Sequence, residues 1–151
     1  MQGNELAVRA TAVIAASAEQ VWRVLADLRS YHRWHPSLEL LDGPAADDLT
    51  PGTVLRLRAD RGTPAEREFN VTVTEVAKPT VLVWEGGDPQ VFFGRHRFTL
   101  TPQTGGTRFL DEEVFTGTMG RCQLAGRRRH RIPPWRRRRA VRGATVARQA
   151  R

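Results

Sequence analysis

Apolar and polar residues alternate along residues 92–117, and this alternation predicts a β-hairpin. The cluster Thr104-Gly105-Gly106 supplies the turn between its two strands. One side of the first strand carries Phe92, His96, Phe98 and Leu100, whereas the other side carries Arg95, Arg97, Thr99 and Thr101. One face of the hairpin is therefore expected to meet water and the other to face inward.

A turn centred on Thr104-Gly105 also sets the register of this hairpin, because an even-numbered loop fixes which residues face each other. It places Leu100 opposite Phe109, Phe98 opposite Asp111, and His96 opposite Glu113. On the outer face the same register sets Arg97 against Glu112, and an opposite-charge pair across two strands supports it.

The inner face of the hairpin mixes apolar and ionisable residues. It carries Phe98, Leu100, Phe109 and Phe115 together with His96, Asp111 and Glu113. Carboxylates and imidazoles are costly to bury unless they are paired or hydrated. We therefore expect the sheet to face a cavity at this point.

The same period of two predicts strands along the rest of the chain. They run over residues 6–14, 38–40, 54–60, 66–76 and 80–85. After the first strand, Ser17-Ala-Glu-Gln20 has the form of a capping box and predicts a helix over residues 18–28. A second short helical turn is expected before Pro36. The fold class is therefore α+β, with about seven strands and two short helices after strand 1.

The charge of the chain is divided unevenly along its 151 residues. Residues 1–115 hold all 16 acidic residues and 12 basic ones, whereas residues 116–151 hold 12 Arg and no acid, within a net charge of +8. The lone Cys122 excludes an internal disulfide. We find neither a signal-peptide pattern nor a long apolar run, so we expect a cytoplasmic protein.

Several segments in order resemble the SRPBCC superfamily, the START-like helix-grip fold that includes lipid carriers and the polyketide cyclase/dehydrase group. They are Ser17-Ala-Glu-Gln-Val-Trp22, Tyr31-His-Arg-Trp-His-Pro36, Pro51-Gly52, His96-Arg-Phe-Thr-Leu100, Gly105-Gly-Thr-Arg108 and Glu112-Glu-Val-Phe-Thr-Gly117. The resemblance implies a curved antiparallel sheet wrapped around a long C-terminal helix. It also implies an apolar cavity that takes a lipid, sterol or aromatic polyketide.

The chain departs from this family pattern after Gly117. Residues 1–117 are expected to form the ligand-binding domain, whereas the Arg-rich residues 118–151 include Pro133-Pro134, which disfavour a continuous helix. Three interpretations stay open: a truncated helix begins at Met119, a partner chain covers the sheet, or a shifted reading frame encodes the segment. The coding DNA tests the last of these.

The candidate site residues follow from the inner face and from the resemblance. His96 and Glu113 are candidates for a general acid/base pair, or for a polar pair that orients a ligand. Candidate ligand-lining residues are Trp34, His35, Phe69, Trp84, Phe93, Phe98, Phe109 and Asp111. The aromatic ones are also compatible with a plain core role, and Asp111 is also compatible with a hydrated strand position. The four histidines lack metal-ligand spacing, and no nucleotide-binding glycine motif occurs, so we expect no metal and no cofactor.

The predicted function is binding of a small hydrophobic ligand in an internal cavity, as a carrier or sequestering protein. One alternative is a polyketide cyclase/dehydrase-like enzyme, in which His96 moves a proton and Glu113 orients it. A second alternative is binding of nucleic acid or an anionic membrane through Arg127–Arg139, where Trp135 lies between Arg clusters. A solvated charge run is the plain interpretation of the same segment.

Overall fold

Seven antiparallel strands form one sheet in the computed structural model, which describes residues 5–118. The strands are β1 (Leu6–Ile14), β2 (Leu38–Asp42), β3 (Val54–Ala59), β4 (Arg67–Ala77), β5 (Val81–Asp88), β6 (Phe92–Gln103) and β7 (Gly106–Thr116). Their order across the sheet is β1-β7-β6-β5-β4-β3-β2. The first strand therefore closes against the last, and the predicted α+β class with seven strands is confirmed.

The predicted register of the β6–β7 hairpin is confirmed. Leu100 pairs with Phe109, Phe98 with Asp111, His96 with Glu113 and Arg97 with Glu112. The outer-face ion pairs nevertheless reach other strands. Arg97 Nη1 lies 2.8 Å from Glu75 Oε2 on β4, across the intervening β5, and Arg9 Nε on the neighbouring β1 lies 2.6 Å from Glu112 Oε2. The outer face of the hairpin is therefore part of a network of ion pairs that extends across several strands.

Helix α1 (Ala18–Ala26) begins at the predicted capping box. The Gln20 amide donates to Ser17 Oγ at 3.2 Å, and the Ser17 amide donates to Gln20 Oε1 at 2.9 Å. The helix ends two residues before the predicted residue 28, and a 3-10 helix over Leu28–Arg33 follows it. The backbone of Asp27 leaves the helical region between them, with ψ at 74°.

The apolar core lies between α1 and the inner face of the sheet. Its buried residues include Val21, Trp22, Leu25, Tyr31, Leu55, Leu57, Val73, Leu82, Trp84, Phe98, Leu100 and Phe109. Thr107 is fully buried, and its hydroxyl donates to the Ala16 carbonyl at 2.7 Å. This bond fixes the start of α1 against the first residues of β7, and so positions the helix over the hairpin.

The interpretations of residues 118–151 concern positions that lie, apart from Thr118, outside the described residues. This applies to the truncated helix after Met119 and to the basic surface of Arg127–Arg139. Across residues 5–118, no helix is long and apolar enough to cross a membrane. A second 3-10 helix, Ala46–Asp48, is the element that the alternation pattern did not predict.

Candidate functional site

A small cavity lies between the sheet and the corner where α1 turns into β2. Its volume is about 30 Å³. The residues around it are Leu25, Tyr31, Trp34, His35, Leu38, Trp84, His96, Phe98, Phe109 and Asp111. Seven of the ten residues predicted from the sequence are among them. Four of them, His96, Phe98, Phe109 and Asp111, line it together because the alternation along β6 and β7 places them on the same face of the sheet.

A larger concavity of about 520 Å³ lies elsewhere, where the start of α1 meets the tip of the β6–β7 hairpin. It is an open groove lined by Ala15–Glu19, Pro102-Gln103 and Gly105-Gly106. Among residues 5–118, Glu19 is the only ionisable residue that lines it, and none of the predicted site residues reaches it. We therefore take the smaller cavity as the candidate site, because ionisable and aromatic side chains converge there.

Three ionisable residues on the sheet form what we call the His96 cluster: His96, Asp111 and Glu113. His96 Nε2 lies 2.6 Å from Asp111 Oδ1, and His96 Nδ1 lies 3.3 Å from Glu113 Oε1. The three side chains are 17%, 26% and 18% exposed. A carboxylate beside each ring nitrogen favours the imidazolium form, because only that form donates from both nitrogens.

The wall of the cavity on the sheet side is aromatic. The Trp84 ring meets the His96 ring edge-on at 5.2 Å between centroids, and His96 lies 4.1 Å from the Phe98 ring. Phe98 in turn lies 5.8 Å from Phe109. Trp84, Phe98 and Phe109 are each at most 5% exposed. The His96 ring is thus embedded in an aromatic surface, with the two carboxylates of the cluster beside its nitrogens.

The opposite wall comes from the segment between α1 and β2. Trp34 and His35 both pack on Tyr31, at ring-centroid distances of 4.3 and 6.1 Å. His35 Nδ1 accepts hydrogen bonds from the amides of Leu38 at 2.9 Å and Ser37 at 3.2 Å. The His35 ring therefore closes the turn into β2, with its Nδ1 unprotonated.

Tyr31 lines the cavity, although the sequence analysis did not select it as a site residue. Its ring is 1% exposed, and its hydroxyl donates to the Leu25 carbonyl at 2.6 Å. Burial raises the pKa of Tyr31 well above its ordinary value of 10.0, and the charges of Asp111 and Asp27 raise it further. The aromatic segment before Pro36 was the signal that could have identified it.

We expect the alkaline titration of Tyr31 to be delayed until well above pH 10. Because the folded state raises this pKa, it holds the neutral phenol more firmly than the unfolded chain does. The resulting stability is complete below about pH 10 and is lost as the pH rises toward the folded-state pKa. Tyr31 is the only tyrosine of the chain, so the change in absorbance at 295 nm with pH reports its ionisation alone.

If the folded protein and the urea-unfolded chain had the same titration midpoint, this result would contradict the buried position of Tyr31. The unfolded chain is the matched control, since it contains the same single phenol. Circular dichroism recorded on the same samples shows whether ionisation coincides with unfolding, as linkage requires.

The remaining three predicted residues lie away from the cavity lining. Glu113 lies two residues after Asp111 on the inner face of β7, and its carboxylate contacts the His96 ring. Phe69 packs against the core in β4, where its register partner is Leu57. Phe93 is three residues from His96 on an unbroken ladder, so it lies on the opposite face of the sheet.

Within the described chain, no group of three or more His, Cys, Asp or Glu side chains is arranged to hold a metal ion. The His96 cluster is not such a group either, because its carboxylates lie beside the imidazole nitrogens. The geometry of the cluster is that of a hydrogen-bonded acid–base group.

Solved structures share this fold at low sequence identity. A Thalictrum norcoclaurine synthase point mutant, in complex with a transition-state analogue, is 11% identical, with a TM-score of 0.63 over 85% of this chain and 86% of that one. Protein Ms6760 from Mycobacterium smegmatis is 19% identical, with a TM-score of 0.62 over 80% and 79%. At these identities the similarity shows the fold alone.

A third structure is the di-domain ARO/CYC BexL from the BE-7585A biosynthetic pathway. It is 15% identical, with a TM-score of 0.62, and the match covers 83% of this chain but 41% of that longer chain. None of the curated proteins matches the chain in sequence.

A family-level match covers most of the sequence. The family is described as polyketide cyclase/dehydrase and lipid transport, and its sequence model matches residues 5–148. The match passes beyond Gly117 into the Arg-rich residues, whereas the resemblance stated from the motifs stopped at 117. It agrees with the seven-stranded antiparallel sheet and its packed helix. The chain therefore belongs to the polyketide cyclase/dehydrase and lipid transport family.

Proposed function

We propose that this chain binds a small apolar molecule between the sheet and the α1–β2 corner, and acts as a carrier or sequestering protein. The observation that supports this most strongly is the aromatic cavity with the His96 cluster in its wall. The family has a fold that binds hydrophobic ligands. An apolar pocket with a few convergent polar groups is the arrangement expected of a small-molecule site.

The cavity must widen to admit such a ligand. A volume of about 30 Å³ holds one or two water molecules, whereas ligand pockets measure roughly 300 to 1,000 Å³. The sheet-side wall belongs to the inner strands β5, β6 and β7, each paired on both sides. The facing wall belongs to a 3-10 helix and to β2, which pairs on one side only. We propose that this edge segment moves outward, because edge elements open at lower free-energy cost.

The position of His96 favours binding over catalysis. Both ring nitrogens face carboxylates, at 2.6 and 3.3 Å. A general base needs a ring nitrogen that can accept a substrate proton, and a nitrogen that donates to a carboxylate cannot do so. Once the cavity has widened, the same cluster can hold the polar end of a ligand.

The binding proposal predicts that Leu38→Trp weakens binding of 2-methylnaphthalene about tenfold or more, which corresponds to about 1.4 kcal/mol. Leu38 is half-buried at the mobile wall, so a larger side chain there occupies the space that the ligand needs. The measurement is titration of the full-length protein, followed by tryptophan fluorescence and by calorimetry.

The matched control is Val54→Trp, which adds the same indole at a position 56% exposed. It should leave the affinity unchanged. Equal losses in the two variants, or no saturable binding by the parent protein, would refute the proposed site.

A cyclase/dehydrase-like enzyme is the second candidate. His96 and Asp111 both border the cavity, so a substrate there lies beside an acid–base group. The family includes cyclases and dehydrases by its description, and the di-domain BexL is named as an ARO/CYC protein. In this case His96 would move the proton and Glu113 would orient it. Turnover of a β-polyketone that His96→Ala abolishes, while naphthalene affinity is retained, would favour this candidate over carriage.

A further inference from the structure

The mobile wall of the cavity carries a charged residue on its outer side. Leu38 lines the cavity from β2, and the next residue, Glu39, therefore points to the opposite face of the sheet. Glu39 Oε2 lies 3.6 Å from Arg58 Nη1 and 3.6 Å from Arg61 Nη1. Arg58 belongs to β3 and Arg61 follows that strand, so both ion pairs tie the edge strand to its neighbour.

The backbone pairing that holds β2 is short. Consecutive register pairs join Leu38, Glu39 and Leu40 to β3, and the register then shifts before Asp42. Within the sheet described for residues 5–118, β3 is the sole neighbour of β2. Such a strand opens at a lower free-energy cost than one paired on both sides. Side-chain contacts to β3 therefore contribute a large share of what holds this wall in place.

Arg58 is anchored independently of Glu39. Its Nη2 lies 2.9 Å from Glu68 Oε1 on β4, and its Nε lies 3.8 Å from Glu66 Oε1. Hydrogen bonds from Arg58 and Arg56 lower the pKa of Glu68, so this carboxylate stays ionised beside the guanidinium. When β2 moves outward, Arg58 is held back by β4, and its longer contact with Glu39 is the one that breaks.

We infer that Glu39 is a clasp: its ion pairs with Arg58 and Arg61 hold the mobile wall closed and set how often the cavity opens. This inference rests on the proposed binding function and adds the regulation of ligand entry. Partly exposed ion pairs contribute little to total stability, yet a contribution of that size changes the population of a minor open state several-fold. Because a ligand enters the open state, its association rate scales with that population.

Hydrogen exchange tests the clasp in the absence of any ligand. In Glu39→Gln, the hydrogen-bonded amides of residues 38–42 should lose about two- to fivefold of their protection, whereas those of β6 should keep theirs. Glu85→Gln is the matched control, because Glu85 is 30% exposed and pairs at 3.4 Å with Arg95, but joins β5 to β6. Unchanged protection over residues 38–42, or an equal loss throughout the sheet, would overturn the inference.

Stopped-flow fluorescence with 2-methylnaphthalene and the full-length protein connects the clasp to the cavity. The association rate constant should be about two- to fivefold higher in Glu39→Gln than in the parent protein, and unchanged in Glu85→Gln. Concentrated sodium chloride should bring the ratio of Glu39→Gln to parent toward one, because ions screen the pairs in the parent. A ratio of one at low salt, or a ratio that salt does not change, overturns the inference and leaves the binding function standing.

Arg61→Gln provides a second variant in case Glu39→Gln fails to fold. Arg61 is 71% exposed, and its substitution removes one of the two cations beside Glu39. Both measurements should shift in the same direction by a smaller factor. Protection and association rates equal to those of the parent, in whichever variant folds, overturn the clasp alone. Absence of saturable probe binding by the parent overturns the binding function and, with it, the role of the clasp.

Discussion

Replacing Phe109 with alanine is expected to lower the free energy of unfolding by about 3 to 5 kcal/mol. Phe109 is 1% exposed and lies across from Leu100 on the inner face of the sheet. Its ring contacts Phe98 at 5.8 Å and forms part of the cavity wall. Deleting the ring removes these contacts and leaves a void that the rigid sheet cannot close. Urea denaturation of wild type and variant measures the difference.

The exposed Val91 provides the control for this deletion. Val91→Ala, at 45% exposure, should change the free energy of unfolding by less than about 0.5 kcal/mol. Because the void of Phe109→Ala joins the cavity, 2-methylnaphthalene should raise the melting temperature of the variant more than that of wild type. A loss below about 1 kcal/mol would mean that Phe109 is not a packed wall of the cavity.

Replacing His96 with leucine is expected to destabilise the protein by about 1 to 3 kcal/mol at pH 7. Leucine fills much of the imidazole volume beside Trp84 and Phe98, so packing is largely kept. Asp111 and Glu113, which are both half-buried, lose the imidazole nitrogens that lie 2.6 and 3.3 Å from their carboxylates. The cost is therefore electrostatic, and it depends on pH.

Repulsion between the two carboxylates raises their pKa values in the folded variant. A carboxyl with a raised folded-state pKa costs most when it is ionised, so the penalty is full near pH 7 and falls as the pH drops toward the folded-state pKa. The stability difference between wild type and His96→Leu should accordingly be wider at pH 7 than at pH 4.

Removal of the Asp111 charge provides the control for His96→Leu. Adding Asp111→Asn to the variant should restore part of the lost stability, whereas adding the outer-face change Glu112→Gln should not. A penalty that is equal at pH 4 and pH 7, or that the Asp111 change leaves untouched, would show that the cluster is not electrostatically coupled.

The sequence predicted the hairpin of this fold in detail because strand alternation has a period of two and the turn fixes the register. Once Leu100 was set opposite Phe109, the inward position of His96, Asp111 and Glu113 followed. The start of α1 could be predicted equally well, because a capping box involves residues only three positions apart.

Features that depend on side-chain reach and on tertiary packing could not be predicted in this way. The register sets His96 opposite Glu113, yet its nearer carboxylate is the diagonal neighbour Asp111, at 2.6 against 3.3 Å. Tyr31 borders the cavity because a 3-10 helix replaces the end of α1, and no local pattern required that break. The size of the cavity depends on how two walls distant in sequence pack together.

We expect a small molecule to bind at the inner aromatic and ionisable face of the sheet. The most direct test is nuclear Overhauser contact between bound 2-methylnaphthalene and the labelled full-length protein. Contacts from the naphthalene protons to the rings of Phe109, Trp84 and His96 are the expected result. Contacts confined to the outer face, for instance at Val13 or Phe93, would contradict binding at the inner face. The absence of contacts at a saturating concentration of the probe would contradict it equally.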